Sequence, residues 1–284
     1  MNRFSLTLLL LLVTAIWGWT FTMVKEAVEA YGVVGFLALR FLIGSLSLGP
    51  VAVRGLTWKT FALGGAIGAV LAAAYLFQTF GLRVTTATNC GLITGLFVIS
   101  ALLLNRAIFG VRLRRLVWAA VGLSVLGLFL LTGAGPARPN LGDGLTLGAA
   151  VCFGLQIVLL DRYAKGHATL ALTLSQLVVA AAILLLVWPV VEPLAWPTPS
   201  VWWALVITGV LATAAGFYIQ VLVQQHLPAV RAAMLFTLEP VFAALFGYLL
   251  AGDRLTAVQI GGAALMVVAA MASEVGQAWQ RGRA

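Results

Sequence analysis

Residues 60–80 read TFALGGAIGAVLAAAYLFQTF, a run of 21 residues without a charged side chain. An α-helix of about 20 apolar residues spans the hydrocarbon layer of a bilayer, so this run predicts a membrane-spanning helix. The whole chain has the same character, because 62% of its 284 residues are hydrophobic and only 9% are charged. A soluble domain carries charge on roughly a quarter of its residues. The sequence therefore predicts an all-α integral membrane protein.

Ten apolar runs of similar length follow one another, separated by short breaks at glycine, proline or charged residues. Helices are the expected structure, because lipid leaves no backbone group unpaired and period-two alternation is absent. The first run has no small-residue cleavage site, so we interpret it as a retained helix and not as a signal peptide. The predicted transmembrane helices are 5–26, 32–53, 60–80, 88–108, 115–133, 144–162, 168–190, 200–223, 229–250 and 255–275.

The sequence repeats itself across its longest polar break, which lies between the fifth and sixth runs. A shift of 142 positions aligns Tyr75-Leu76-Phe77-Gln78 with Phe217-Tyr218-Ile219-Gln220, and a shift of 136 aligns Ala15-Ile16-Trp17-Gly18 with Val151-Cys152-Phe153-Gly154. The matches keep the same order in both halves. They predict two five-helix repeats, 1–135 and 141–284, which together form one membrane domain.

Five spans are an odd number, so the second repeat is expected to enter the membrane inverted relative to the first. Lys and Arg favour the cytoplasmic side of membrane proteins. With a cytoplasmic N-terminus, 12 of the 17 basic residues fall on the cytoplasmic side and four on the outer side. This bias predicts that both termini are cytoplasmic, in a bacterial inner (plasma) membrane. Inverted repeats are typical of secondary transporters, which bind solute near the midplane between the repeats.

Short motifs along the whole chain carry a further signal. They are Ala15-Ile16-Trp17-Gly18 with Lys25, Arg40-Phe41, Glu239-Pro240-Val241 with Gly247, and Arg254-Leu255-Thr256. Together with the ten spans and the repeat, these motifs resemble the EamA branch of the drug/metabolite transporter superfamily, and within it the chain is similar to YddG-type amino-acid exporters. The resemblance implies ten helices, transport by alternating access and export of amino acids or other metabolites.

A solute path between two repeats should draw equivalent positions from both. This rule selects aromatic and amide side chains near the midplane, where a polar group is costly unless it faces a cavity or a partner. Core packing of the aromatic rings and hydrogen bonding between helices by the glutamines are the competing interpretations. The aromatic, weakly charged set favours a solute with an apolar portion, such as a neutral or aromatic amino acid. The substrate-binding candidates are Trp17, Tyr75, Gln78, Phe97, Phe153, Phe217 and Gln220.

Arg40 and Glu239 are the two charged residues placed deep inside predicted spans. A charge in hydrocarbon is costly, which leaves two interpretations open. The first is a mutual structural ion pair, which we favour because no second intramembrane acid is present to build a proton relay. The second is proton-sensitive coupling through Glu239. The neighbouring Pro240 removes a backbone donor and permits a bend.

Other function classes fit the sequence poorly. The basic residues are dispersed in connectors, so nucleic-acid binding is not expected. Cys90, Cys152, His167 and His226 show no ligand spacing, so neither a metal site nor a cofactor is expected. No phosphate-binding loop is present, and no ATPase subunit is implied. The expected partners are a small-molecule solute, the lipid bilayer and, if transport is coupled, protons. An intramembrane enzyme or a channel-like facilitator is the alternative, although an enzyme would need clustered titratable residues.

Overall fold

The structure is a computed structural model that describes residues 2–85, 87–111, 115–133, 140–252 and 254–281. Within these ranges every regular element is helical. Two π-helical segments, π1 (Thr208–Ala215) and π2 (Gly247–Ala251), interrupt the α-helices. The α-helices are α1 (Arg3–Tyr31), α2 (Val33–Ala52), α3 (Trp58–Leu82), α4 (Ala87–Thr94), α5 (Phe97–Phe109), α6 (Arg115–Thr132), α7 (Leu141–Tyr163), α8 (Thr169–Val191), α9 (Pro199–Ile207), α10 (Gly216–Gln224), α11 (Ala229–Phe236), α12 (Glu239–Phe246) and α13 (Ala257–Arg281).

Eight of the predicted spans, the second to the ninth, coincide with helical stretches that are long and apolar enough to cross a membrane. The stretches are Val33–Gly55, Trp58–Gly81, Cys90–Phe109, Arg115–Thr132, Leu141–Tyr163, Thr169–Val191, Pro199–Gln224 and Ala229–Leu250. Shorter apolar stretches, Phe4–Thr20 in α1 and Ala257–Ala272 in α13, lie where the first and last spans are predicted. The structure thus confirms an all-helical chain with many apolar helices, while ten crossings and cytoplasmic termini stay predictions.

Two of the predicted spans are not continuous helices. The span 88–108 is divided into α4 and α5 at Gly95-Leu96, and the span 229–250 is divided into α11 and α12 at Thr237-Leu238. The two breaks lie 142 residues apart, which is the shift that aligns the repeats in the sequence.

Both breaks have the same hydrogen-bond pattern. The amide of Leu96 donates to Ile93 O at 3.0 Å, and the amide of Leu238 donates to Leu235 O at 3.1 Å, so each break is a tightened turn with a bond to the third residue back. In the second break Pro240 adds a further cause, because its ring excludes the carbonyl four residues earlier, where α11 ends.

The helices pack closely through small residues. Helix α3 lies against α7 and α8, α2 lies against α8, and α6 lies against α13. At Gly68 a Cβ atom would be 2.3 Å from the backbone oxygen of Gln176 in α8, so only glycine permits this approach.

Burial differs between the two halves of the ninth predicted span. We call the end where α1 begins the near end and the end where α1 stops, at Gly32, the far end. Arg231 Nη2 donates to Thr7 Oγ1 at 3.0 Å, which places the start of α11 at the near end. Seven residues of α11 are buried, whereas α12, which continues towards the far end, has none. The near half of this span is therefore packed against other helices more fully than the far half.

Glu192 fixes part of the far end. Its carboxylate accepts the backbone N–H groups of Val33, Val34 and Gly35 at 3.2, 3.0 and 3.0 Å, the first donors of α2, and it forms an ion pair with Arg83 at the end of α3. A carboxylate at a helix N-terminus satisfies donors that have no partner within the helix. One side chain therefore joins α2, α3 and α8.

The close approach of α3 to α8 yields a stability prediction. Gly68→Ala forces the two helices apart and should lower the unfolding free energy by about 1–3 kcal/mol, seen as a lower midpoint of thermal unfolding in detergent. Gly122→Ala is the matched control, because a Cβ atom at Gly122 meets nothing within 4 Å. Equal midpoints for the two variants would contradict the predicted contact.

Candidate functional site

A chain of aromatic side chains crosses the centre of the bundle. Successive ring centroids lie 5.3, 5.7, 6.0, 5.2 and 5.3 Å apart, in the range where aromatic pairs attract one another. Six different helices contribute one ring each, so the chain joins the two halves of the protein. In order the rings are Phe236, Trp17, Phe217, Phe41, Tyr75 and Phe153.

Four of the predicted aromatic candidates, Trp17, Tyr75, Phe153 and Phe217, lie in this chain. Phe41 and Phe236 complete it and were missed in the sequence. Choosing equivalent positions does not find Phe236, because a shift of 142 residues places it opposite Thr94. Phe41 could have been found from its position directly after Arg40, deep in a predicted span.

The segment π1 positions two of the predicted residues. Trp17 Nε1 donates to the backbone oxygen of Ala212 at 2.7 Å, and Arg40 Nε donates to Thr213 Oγ1 at 2.7 Å. A π-helical turn displaces carbonyl groups from the regular α-helical ladder, so they are free to accept side-chain donors. Gly216 is required opposite the indole, because a Cβ atom there would lie 2.9 Å from Trp17 Nε1.

Four buried glutamines form a hydrogen-bonded layer on the near side of the aromatic chain. Gln220 Nε2 donates to Gln156 Oε1 at 3.0 Å and to Gln224 Oε1 at 2.9 Å, and Gln156 Nε2 donates to Gln176 Oε1 at 3.4 Å. All four side chains are at most 2% exposed. Among the described residues, Gln220 Oε1 is one of two buried polar atoms without a partner, so an acceptor remains for a donor from outside the layer.

The remaining candidates lie apart from the aromatic chain. Gln78 Nε2 donates to Thr94 Oγ1 at 3.2 Å on the far side, so it does not mirror the layer around its repeat equivalent Gln220. Phe97 lines a small apolar cavity with Gly95 and Pro240, next to the two helix breaks. Of the seven substrate candidates, four therefore lie in the aromatic chain, Gln220 lies in the glutamine layer, and Gln78 and Phe97 have the other partners just described.

Arg40 and Glu239 are not in direct contact. Among the residues that the structure describes, the ion pair within 4 Å is that of Arg83 with Glu192. Arg40 is 7% exposed and is held by Thr213, while Glu239, the first residue of α12, stays partly accessible. The favoured structural ion pair is thus not formed within 4 Å in this structure, where the hydrogen-bond partner of Arg40 is the hydroxyl of Thr213 on π1.

Comparison with known proteins identifies the fold's family. The sequence pattern of the EamA-like transporter family matches residues 5–133 and again residues 140–273. The chain belongs to the EamA-like transporter family. It is thus a multi-pass membrane transporter of the drug/metabolite transporter superfamily, built from two copies of the family unit.

Individual relatives agree with this assignment. An uncharacterised transporter of Archaeoglobus fulgidus is 32% identical over 263 residues, 92% of this chain and 82% of that protein. The threonine/homoserine exporter RhtA of Salmonella typhimurium is 28% identical over 161 residues, 54% of this chain and 52% of its own length. A solved crystal structure with 24% identity matches 96% of this chain and 98% of its own, with a TM-score of 0.83, and so shows the fold.

The bond between Arg40 and π1 can be tested by removing its acceptor. Thr213→Val leaves a buried charged donor without its partner and should cost about 1–3 kcal/mol of unfolding free energy, whereas Thr213→Ser should retain most of it. Thermal unfolding in detergent measures both. Thr208→Val is the control, because the hydroxyl of Thr208 bonds to Ala204 O within its own helix. A Thr213→Val loss no larger than that of Thr208→Val would contradict the assigned role.

Proposed function

We propose that this transporter is an alternating-access carrier that exports small metabolites, in particular neutral or aromatic amino acids, across a bacterial inner membrane. The observation that carries the proposal is the aromatic chain at the centre of the bundle, with the glutamine layer on its near side. Aromatic faces bind an apolar side chain, and the amide oxygen of Gln220 offers a hydrogen-bond acceptor for a polar group.

The two helix breaks support alternating access. They occur at equivalent positions of the two repeats, and discontinuous helices at mid-depth are the usual site of solute binding in transporters with inverted repeats. If the repeats are inverted, exchange of their packing converts a bundle closed at the near end into one closed at the far end. We assign the near end to the cytoplasm on the distribution of Lys and Arg in the sequence.

Transport into proteoliposomes tests the function. A panel of labelled L-threonine, L-valine and L-phenylalanine should include at least one solute whose flux saturates with concentration; L-threonine is included because RhtA is named a threonine exporter. Trp17→Ala should raise the half-saturating concentration about tenfold, since an aromatic contact contributes ~1 kcal/mol beyond its buried area. Trp203→Ala, which removes an indole that is 70% exposed, should leave the flux unchanged.

Each other outcome has a defined meaning. Flux that rises linearly with concentration would identify a channel-like facilitator and contradict a carrier. Absence of flux for every amino acid in the panel would contradict the proposed solute class. An imposed pH gradient that drives accumulation would establish proton coupling, and equal accumulation with and without the gradient would establish facilitated diffusion.

A further inference from the structure

Two opposite charges and one phenol hydroxyl at the centre of the bundle keep polar atoms without a partner in the protein as the structure describes it. Within the described ranges, the Nη atoms of Arg40, the carboxylate of Glu239 and the hydroxyl of Tyr75 make no hydrogen bond to the protein. They are also absent from the fully buried polar atoms without a partner, which are Ser124 Oγ and Gln220 Oε1. These three groups therefore border accessible space and not packed side chains.

Packing places the three groups in one region of the bundle. Tyr75 packs against Phe41, the residue after Arg40, and α12, which begins at Glu239, lies against α1 at Gly18, next to Trp17. Arg40 also interacts electrostatically with both Tyr75 and Glu239, and Tyr75 interacts with Glu239. The two charges nevertheless lie farther apart than the 4 Å of an ion pair. The ring of Tyr75 is also part of the aromatic chain, 5.2 Å from the ring of Phe41, so the charged groups and the aromatic chain border the same part of the bundle.

The geometry of Arg40 favours a carboxylate ligand. Thr213 occupies Nε, which leaves the Nη1 and Nη2 end of the guanidinium fork for a ligand. Two parallel N–H donors match the two oxygens of a carboxylate. Glu239, the first residue of α12, provides the complementary group, because a carboxylate accepts hydrogen bonds from an ammonium group.

We propose that Arg40 binds the α-carboxylate and Glu239 binds the α-ammonium group of a zwitterionic amino acid, while the aromatic chain contacts its side chain. This inference rests on the proposed function. A single charge left alone at mid-membrane is costly, and a zwitterion neutralises both charges at once. A ligand with only one charged group would leave either Arg40 or Glu239 without a partner. The site is therefore selective for the zwitterion.

Three probes with the same side chain separate the two contacts. They are L-valine, isobutylamine, which lacks the carboxylate, and 3-methylbutanoate, which lacks the ammonium group; L-phenylalanine, 2-phenylethylamine and 3-phenylpropanoate form a second set. Each dissociation constant is measured separately by calorimetry on the full chain in lipid nanodiscs. In the unmodified protein the amino acid should bind roughly tenfold or more tightly than either analogue, because each lost contact is a hydrogen bond between charged groups.

The variants should change this preference in opposite ways. In Arg40→Gln the ratio of amine to amino-acid dissociation constants should fall towards one, and in Glu239→Gln the ratio for the carboxylate analogue should fall likewise. These ratios do not depend on the fraction of folded protein. Arg54→Gln and Glu29→Gln make the same charge changes at exposed helix ends and should keep the preference of the unmodified protein.

Three results would overturn the inference. If amino acids bind and both variants keep the original ratios, the inference is wrong and the proposed function stands. If the single variants fail to fold, the double variant Arg40→Gln with Glu239→Gln is measured instead. A folded double variant that binds the amino acid as tightly as the unmodified protein would assign the two charges a structural role and contradict the inference. Loss of its preference for the zwitterion would support the inference. If no amino acid binds or is transported, the proposed solute class and the inference fail together.

Discussion

Lipid offers no hydrogen-bond partner to a backbone amide, so every interruption of a membrane helix must be satisfied from within the protein. In the described part of the chain the interruptions lie at Gly95-Leu96, at Thr237-Leu238, along π1 and along π2. The carbonyl of Ala212 on π1 receives the indole of Trp17, and the hydroxyl of Thr213 holds Arg40. The polar features of the site therefore follow from how the bundle satisfies these irregular segments.

The same constraint gives the centre its mixed character. Six aromatic rings form a chain across the centre, and the polar side chains beside them include Arg40, held by π1, and the glutamine layer. The amides of the glutamine layer bond to one another and to the backbone oxygens of Ile157 and Leu172, while Oε1 of Gln220 stays unpaired among the residues described. Along the ninth predicted span α11 is buried and α12 is not, so the near half of this span is packed more fully than the far half.

The sequence predicted the features that depend on composition and spacing. Long apolar runs located eight membrane-spanning helices to within three residues, and the 142-residue shift anticipated the equivalence of Phe97 and Glu239, the first residues after the two breaks. It also found four of the six aromatic rings. The π1 segment was not predicted, because a π-helical turn leaves hydropathy unchanged and has no composition of its own.

Side-chain partners were harder to predict than positions. Gln156, Gln176 and Gln224 were not identified, because they lie on three different helices and only packing brings them together. The expected contact of Arg40 with Glu239 was inferred from their opposite charges alone. The bond of Arg40 to Thr213 depends on where α2 crosses π1, which the sequence does not show. Phe97 was chosen because it is equivalent to a position in the second repeat, but its side chain lines a small apolar cavity with Gly95 and Pro240. Equivalence between repeats predicts the position of a residue and not the direction of its side chain.

Thiol labelling tests the central claim, a solute path that runs from the far end to the glutamine layer and opens to each end in turn. In a background without Cys90 and Cys152, single cysteines at Gln78 and Gln220 are treated with a water-soluble thiol reagent, with and without saturating amino acid. The account predicts that both sites react, that the half-buried position 78 reacts faster than position 220, which is 2% exposed, and that the amino acid slows both reactions. Complete inertness of both cysteines in a protein that still transports would contradict it.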